Sequence, residues 1–551
     1  MSSRVNIYSG RNFFLLGLLL LGFLFLFSRL FYLKLFQDSF LEERSFSEIK
    51  TVYQIPARRG KILDRNGRIL ALDIISYSLE LDKLTFNISN DKNLSLLSEI
   101  INLDKKTIIQ RLNSSSSRYQ IIKKDLDQLQ IKDIKDLDLK GAHILEKLKR
   151  SYPQGEAFSH IVGLTDTERN GIQGTELVFN KVLSGEDGSF EGSRGKKGIK
   201  LDGSRREAVD GIDLHLTIDS RLQSIAFLEL SKIVKQTNAS SGSVAIVNTK
   251  TSEILSLTNL PTFNPNNRKD IVDLSVFRNR STLDIFEPGS VMKPLAMSAI
   301  LESKKIEDTA EVNTSPGWIE YGGYKTSDFR NFGTISLAEV ISRSSNVAMV
   351  KLCDEQDKDY LFDYFSNFGL DSDLTNILIP ATQGFLPKYS AISDRDKVSF
   401  CYGYGLSVSA LHIAQAYSVF ANKGIFNELY LYLDRELSSL TDPKRVLRED
   451  TNEKIQGMLI ESVNTHYGTG KKASVDGLLI AGKTGTAERI VKEEKEYTAT
   501  FAGYSVQQEP SLLIVVVLRG LKGEIHSGGE VAAPTFSNIM SKAIRTLELG
   551  I

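Results

Sequence analysis

The segment Phe286-Glu287-Pro288-Gly289-Ser290-Val291-Met292-Lys293-Pro294 puts a hydroxyl and an amine three residues apart. That pair is a nucleophile with its own base, because a serine oxygen attacks a carbonyl only when a neighbour takes its proton. Pro288 and Gly289 interrupt what precedes, and Ser290 is placed to begin a helix over the apolar run Val291 to Leu301. Positions i and i+3 share a helix face, so Ser290 and Lys293 can touch. A serine at a helix start also sees unpaired N–H groups and the positive end of the dipole, which favour developing negative charge.

The spacing alone is a weak signal, and Ser47-Glu48-Ile49-Lys50 has it too. Only Ser290 is followed by Ser344-Ser345-Asn346 and then by Lys483-Thr484-Gly485-Thr486. Ser462-Val463-Asn464 also fits S-x-N. It lies close to Lys483, however, and lacks the apolar helical pattern that Val347, Ala348, Val350 and Leu352 supply after Asn346, so it is set aside.

Elements must carry these motifs, and 551 residues suffice for two or more domains. Lysine plus arginine equals aspartate plus glutamate at 68 each, so global charge gives no argument for nucleic acid. The six histidines have no metal-ligand spacing, and neither a metal nor a cofactor is expected. Cys353 and Cys401 fit neither a disulfide framework nor a zinc set, and their apolar contexts predict unpaired core residues.

Residues 1–11 carry Arg4 and Arg11 and no acid, and are expected to be a cytoplasmic tail. A membrane helix is expected over 12–34, with Arg29 snorkelling to the interface. No small-x-small cleavage site follows, which predicts an uncleaved anchor and an exported body. Ile55 to Ala71 reads as two short strands about Asn66-Gly67, and Arg59, Asp64 and Arg65 are expected to pair with carboxylates or each other. They lack the interleaved aromatics of a nucleic-acid surface.

Residues 91–149 read as solvated amphipathic helices with a loose loop, and the glycine-rich basic stretch from Gly188 to Gly211 as a hairpin or linker. A first domain is therefore expected over 35–211 and a second over 212–551. The second opens with a strand at Asp213 to Asp219, a helix from Arg221 to Val234 and a strand pair at Ser243–Val247 and Glu253–Leu257. Further strands follow at Leu478–Ala481, Thr500–Tyr504 and Leu512–Leu518, the last apolar enough to be central. Strands from both ends with helices between them predict one α+β domain.

Ser290-x-x-Lys293, Ser344-x-Asn346 and Lys483-Thr484-Gly485 resemble, in order, the signature of penicillin-binding proteins and serine β-lactamases. The S-S-N middle element leans toward the former. The anchor, the Arg59 to Gly67 segment and the Tyr152-Pro153…His160-Ile161-Val162-Gly163 block are similar to the non-catalytic, dimerisation-type pedestal of class B enzymes. Arg278-Asn279-Arg280, Gly403-Tyr404-Gly405-Leu406 and Gly528-Gly529 with Ala532-Ala533-Pro534 are similar to the division-specific branch. The stretch least like the family is about 72–145. No C-terminal repeat domain and no N-terminal glycosyltransferase domain is expected.

The resemblance implies an elongated, mostly-β pedestal and a transpeptidase domain whose antiparallel sheet is packed with helices. It implies a septal peptidoglycan D,D-transpeptidase of the bacterial inner membrane, its body periplasmic, acting on stem peptides that end in D-Ala-D-Ala and blocked by β-lactams. It further implies work beside a septal glycosyltransferase and other divisome membrane proteins. Carried onto this sequence, Ser290 is the nucleophile, Lys293 the base, Ser344 the proton relay and Asn346 the group that holds a substrate amide and orients Lys293. Lys483 is the second cation, and with Thr484 and Thr486 it meets the terminal carboxylate. Gly485 leaves the strand open to substrate, and the N–H groups of Ser290 and Thr486 form the oxyanion hole. Glu287, Arg280, Asp328 and Tyr404 are expected to be structural, and His526 a bystander. The alternatives are a D,D-carboxypeptidase or β-lactamase, which would pass the acyl group to water, and a weakly catalytic divisome scaffold or β-lactam sensor.

Overall fold

The computed structural model describes residues 9–36, 50–195, 198–200, 204–269, 271–378, 380–434, 440–508 and 511–548. The chain forms two compact units, one of residues 1–58 with 185–210 and one of 59–184 with 211–551.

In the first unit, α1 (Ser9–Phe36) contains the stretch Gly10–Lys34, long and apolar enough to cross a membrane. At 1.5 Å per residue its 25 residues span about 37 Å, more than a bilayer's ~30 Å hydrocarbon core. Residues 1–8 of the expected tail, and Ser47, Glu48 and Ile49 of the competing motif, lie outside the described residues. Lys50–Ile55 pairs antiparallel with Gly188–Gly195, which turns back on Gly198–Lys200, so the glycine-rich stretch is a hairpin.

The second unit begins with β1 (Ile62–Leu63) and β2 (Ile69–Asp82), joined by the expected turn, where Gly67 has φ +81 and the Asp64 carboxylate accepts the N–H groups of Asn66 and Arg68, each at 2.8 Å. Of the basic residues here, Arg59 and Arg65 pair with carboxylates of the fold. Arg59 and Arg150 clamp the buried Glu176 at 2.5 and 2.7 Å, and Arg150 and Arg169 reach Asp73 at 3.3 and 2.9 Å. Arg65 meets Glu253 at 3.3 Å, and Asp64 accepts from Ser220 Oγ at 2.6 Å.

The helices expected in 91–149 are α2 (Asp91–Ile101), α3 (Lys105–Asn113) and α4 (Gln128–Asp136), capped by Asn90, Asp104 and Asp127. They are not free-standing. β3 (Tyr119–Lys123) and β4 (Ala142–Ser151), which the charge-rich composition hides, pair with β2. Leu79 and Leu81 then share a core with Leu94, Leu97 and Ile134.

The strand expected over 213–219 shortens to Leu214–His215, because Asp219 accepts the Arg221 N–H and caps α5 (Ser220–Thr237). Next come β5 (Ser241–Asn248), β6 (Ile254–Leu260) and α6 (Lys293–Ser303), then a hairpin of β7 (Trp318–Tyr321) and β8 (Tyr324–Ser327). α7 (Leu337–Ser342), α8 (Asn346–Asp354), α9 (Asp394–Phe400), α10 (Ala410–Ala421) and α11 (Glu449–Asn464) lead to β9 (Ile480–Val491), β10 (Glu494–Ser505), β11 (Leu512–Leu521) and α12 (Ala533–Glu548).

Five of these strands form one antiparallel sheet in the order β6-β5-β11-β10-β9, apart from the β7-β8 hairpin. β11 is its centre, and its apolar run splits by alternation. Leu512, Ile514, Val516 and Leu518 join Leu222, Leu230 and Phe536 from α5 and α12, while Leu513, Val515 and Val517 join the core of α6 and α10. β9 is an edge, with no strand partner on one side among the described residues.

One expectation is overturned. Cys353 and Cys401 form a disulfide with Cα atoms 6.6 Å apart. Apolar context does place both in the core, but α8 packs on α9 and brings two sulfurs from 48 residues apart within bridging reach, which spacing rules cannot see.

Candidate active site

α6 starts later than the sequence suggests, because Gly289–Met292 form a 3₁₀ turn before it. In an α-helix the N–H of residue 294 would bond the Ser290 carbonyl. Proline has none, so the Lys293 N–H takes that carbonyl instead. In 3₁₀ geometry i and i+3 eclipse, so Ser290 and Lys293 still share a side. Tyr417, fully buried on α10, donates its hydroxyl to the Val291 carbonyl at 2.8 Å, and the Gly289 N–H donates to the Gly403 carbonyl at 3.1 Å.

Lys293 is fully buried and reaches the second motif. Its Nζ donates to the Ser344 carbonyl at 2.6 Å and to Asn346 Oδ1 at 2.7 Å, with Ser344 Oγ at 3.1 Å. Ser344 sits between α7 and α8 at φ +62, a left-handed conformation that aims both its oxygens at the amine. Asn346 starts α8, and its Nδ2 donates to the Ser327 carbonyl at 3.1 Å.

Asp328 holds this corner together. One carboxylate oxygen accepts the N–H groups of Asn346 and Val347, at 2.5 and 3.0 Å, and the other accepts from Ser345 Oγ at 2.6 Å. Ser345 Oγ in turn accepts the Ala348 N–H at 3.0 Å. A carboxylate on the first N–H groups of a helix meets both its unpaired donors and its dipole.

Lys483, on edge strand β9, is also fully buried. Its Nζ lies 3.2 Å from the Thr484 carbonyl and 3.4 Å from Thr469 Oγ1, and Thr484 Oγ1 donates to Thr469 Oγ1 at 2.8 Å. The Thr469 N–H donates to the Ser342 carbonyl at 3.1 Å and so links this strand to the end of α7. Thr486 Oγ1 accepts the Gly528 N–H at 3.0 Å.

Both amines are pushed toward neutrality. Burial, then the nearby Lys483 ammonium, hold Lys293 well below the ordinary lysine value, and the Asp328 charge pulls the other way. Burial takes Lys483 down to about 7.

The serine loop lies against β9. A methyl on Gly485 would meet the Pro288 carbonyl oxygen at 2.7 Å, so the glycine makes room for that loop. A methyl on Gly289 would lie 3.1 Å from the Thr486 carbonyl oxygen and 3.5 Å from its nitrogen, which puts the residue before Ser290 against the Thr486 backbone.

The structure thus brings together Ser290, Lys293, Ser344, Asn346, Lys483, Thr484, Gly485 and Thr486. Ser462 and Asn464 stay out. Ser462 is buried within α11, and Asn464 Nδ2 donates to the Ile460 and Ile480 carbonyls. Glu287 accepts the Gly405 N–H at 2.9 Å, and Arg280 bonds the Ser275 and Arg278 carbonyls. The His526 ring stacks on Tyr497 at 3.7 Å and donates to the Gly523 carbonyl. Asp328 has the structural role expected of it, though its hold on the second motif was not foreseen, and Thr469 was missed. The only trace of Thr469 was its place between Gly468 and Gly470, and Asp328 was marked only by its nearness in sequence to the motifs.

Residues 242–541 match the family model of the penicillin binding protein transpeptidase domain, and 54–216 that of the penicillin-binding protein dimerisation domain. The chain belongs to the penicillin-binding proteins. Among similar family members is the peptidoglycan D,D-transpeptidase FtsI of Escherichia coli (strain K12), 30% identical over 99% of this chain and 93% of that one. Another is the Neisseria gonorrhoeae protein named "Probable peptidoglycan D,D-transpeptidase PenA", 30% identical over 98% of this chain and 94% of its own. The solved structure of penicillin binding protein 2X from Streptococcus thermophilus superposes with a TM-score of 0.71 at 22% identity, covering 90% of this penicillin-binding protein and 80% of the other, and shares its fold.

Proposed function

We propose that this penicillin-binding protein is a serine peptidoglycan D,D-transpeptidase that cross-links stem peptides ending in D-Ala-D-Ala during septal wall synthesis. The observation that carries the reading is the buried Lys293 amine, held between the Ser344 and Asn346 side chains and kept toward neutrality beside Lys483.

A neutral amine keeps two N–H donors, for the Ser344 carbonyl and Asn346 Oδ1, and a lone pair for a hydroxyl proton. Ser290 Oγ attacks the penultimate carbonyl while Lys293 accepts its proton. The N–H groups of Ser290 and Thr486 stabilise the oxyanion. Ser344 passes the proton to the departing D-Ala amine, which leaves an acyl-enzyme on Ser290. An amine of a neighbouring stem peptide then takes the acyl group, and the proton returns by the same route. Lys483, Thr484 and Thr486 receive the substrate's terminal carboxylate, whose charge favours the protonated form of Lys483. A β-lactam acylates the same serine and blocks it.

The open edge of β9 is a place where an extended peptide can add as a further strand. α1 anchors the chain once in the inner membrane with the body on the periplasmic side, and the anchor with the pedestal meets the septal glycosyltransferase and other divisome proteins. The test is labelling of the detergent-solubilised chain with a fluorescent penicillin, followed by peptide mapping. Label on the Ser290 peptide, lost in Ser290→Ala, is expected. A folded chain that takes no label from several β-lactams overturns the reading. Incubation with stem-peptide substrate then separates cross-linked product from the hydrolysed product of a carboxypeptidase.

A further inference from the structure

We infer that the Cys353–Cys401 disulfide is a positioning element of the transpeptidation site, bracing the S-x-N helix against the wall of the serine loop, so that acylation of Ser290 depends on its closure. The inference rests on the transpeptidase reading above.

Asn346 is the first residue of α8 and Cys353 lies seven residues on, two turns along the same face. Cys401 directly follows α9, and the chain continues as Tyr402-Gly403-Tyr404-Gly405. The Gly403 carbonyl accepts the Gly289 N–H at 3.1 Å, and the Gly405 N–H donates to the Glu287 carboxylate at 2.9 Å. One path therefore runs from Asn346, which holds Lys293, through the disulfide to the backbone beside Ser290. It fixes the base's cradle relative to the nucleophile's loop without passing through the reacting groups.

Lys397 reinforces the same junction, its Nζ donating to the carbonyls of Asp354 and Gln356 at the end of α8, at 2.8 and 2.9 Å. Contact between Gly403 and the serine loop is tight enough to transmit a shift, since a methyl on Gly403 would lie 2.0 Å from the Gly289 carbonyl oxygen. Both cysteines are fully buried, so the bridge closes as the domain folds and is shielded afterwards. Its closure joins two thiols into one S–S bond and passes two electrons and two protons to a disulfide oxidant, of the thiol–disulfide oxidoreductase class found in an oxidising compartment.

The test uses the full chain in detergent. Thiol titration after unfolding without reductant is expected to find no free thiol, and two free thiols overturn the inference. A Cys353→Ala, Cys401→Ala double variant is then compared with Leu94→Ala, a destabilising control in the separate core of α2. The expected result is fluorescent-penicillin acylation slowed on the order of tenfold in the double variant, since small misplacements of reacting groups are costly. The acid limb of its pH–rate profile should also move upward as water reaches Lys293, with Ser344, Asn346, Lys483 and Asp328 unaltered. Leu94→Ala should change neither reading.

An unchanged rate and profile in the double variant, or an equal loss in Leu94→Ala, overturns the brace. If the double variant does not fold, wild type folded in the presence of reductant, so that the bridge never closes, gives the same comparison. An unlabelled wild type refutes the transpeptidase reading, whereas a labelled wild type with an unaffected double variant refutes the brace alone.

Discussion

Replacing Lys483 by methionine should make the chain more stable at neutral pH while abolishing acylation. Lys483 is fully buried and its hydrogen bonds are long, at 3.2 to 3.5 Å. Burial lowers its pKa from 10.5 to about 7. At ~1.36 kcal/mol per pKa unit, holding the ammonium in the fold costs about 5 kcal/mol against the unfolded chain, and releasing the proton near neutrality recovers little of that. The variant removes this cost and forfeits weak hydrogen bonds worth about 1–2 kcal/mol in all, so a net gain of about 3 kcal/mol is expected at pH 7.

The pH dependence has a definite sign. The unfolded lysine keeps its proton up to about 10.5 and the folded one releases it near 7, so the unfolded state binds more protons in that window. Wild-type stability should therefore rise with pH between those values, and the advantage of Lys483→Met should shrink across the same range. Thermal unfolding of the detergent-solubilised chain at several pH values measures both. A variant less stable than wild type at pH 7, with no narrowing toward high pH, would refute the reasoning.

Asp328→Asn keeps an oxygen for the Asn346 and Val347 N–H groups but loses the charge and the acceptor for Ser345 Oγ. Acylation should fall by about tenfold with little change in melting temperature, read from fluorescent-penicillin kinetics. Gly403→Ala puts a methyl 2.0 Å from the Gly289 carbonyl oxygen at a φ of +89, so the loop must move. Peptide mapping should still find label on Ser290, formed on the order of 10²-fold more slowly. Glu176→Gln leaves Arg59 and Arg150 buried beside a neutral amide, and denaturant unfolding should show a loss of about 3–5 kcal/mol. Acylation by wild type should rise with pH as Lys293 loses its proton, with a midpoint well below the ordinary lysine range, and a midpoint at that range would contradict a buried base.

The motif residues and the sheet's strands were legible in the sequence because their signals are local. Ser290 and Lys293 lie within one turn, Ser344 and Asn346 flank one helix start, and the apolar run of β11 announces a strand covered on both faces. The proline that follows Lys293 was in view too, yet its effect, a 3₁₀ turn where an α-helix was expected, needs the hydrogen bond it displaces. β3 and β4 were missed because their many charged and polar residues mask strands that only pairing with β2 reveals.

Tertiary structure alone decided which acid holds the second motif, that Thr469 meets Lys483, that Cys353 and Cys401 join, and that both lysines lose their water. Each of these depends on groups that the chain brings together from far apart, or on the exclusion of solvent once they meet. Sequence fixes which atoms are available for the chemistry. Packing sets their distances and dielectric surroundings, and these make an ordinary lysine into a base.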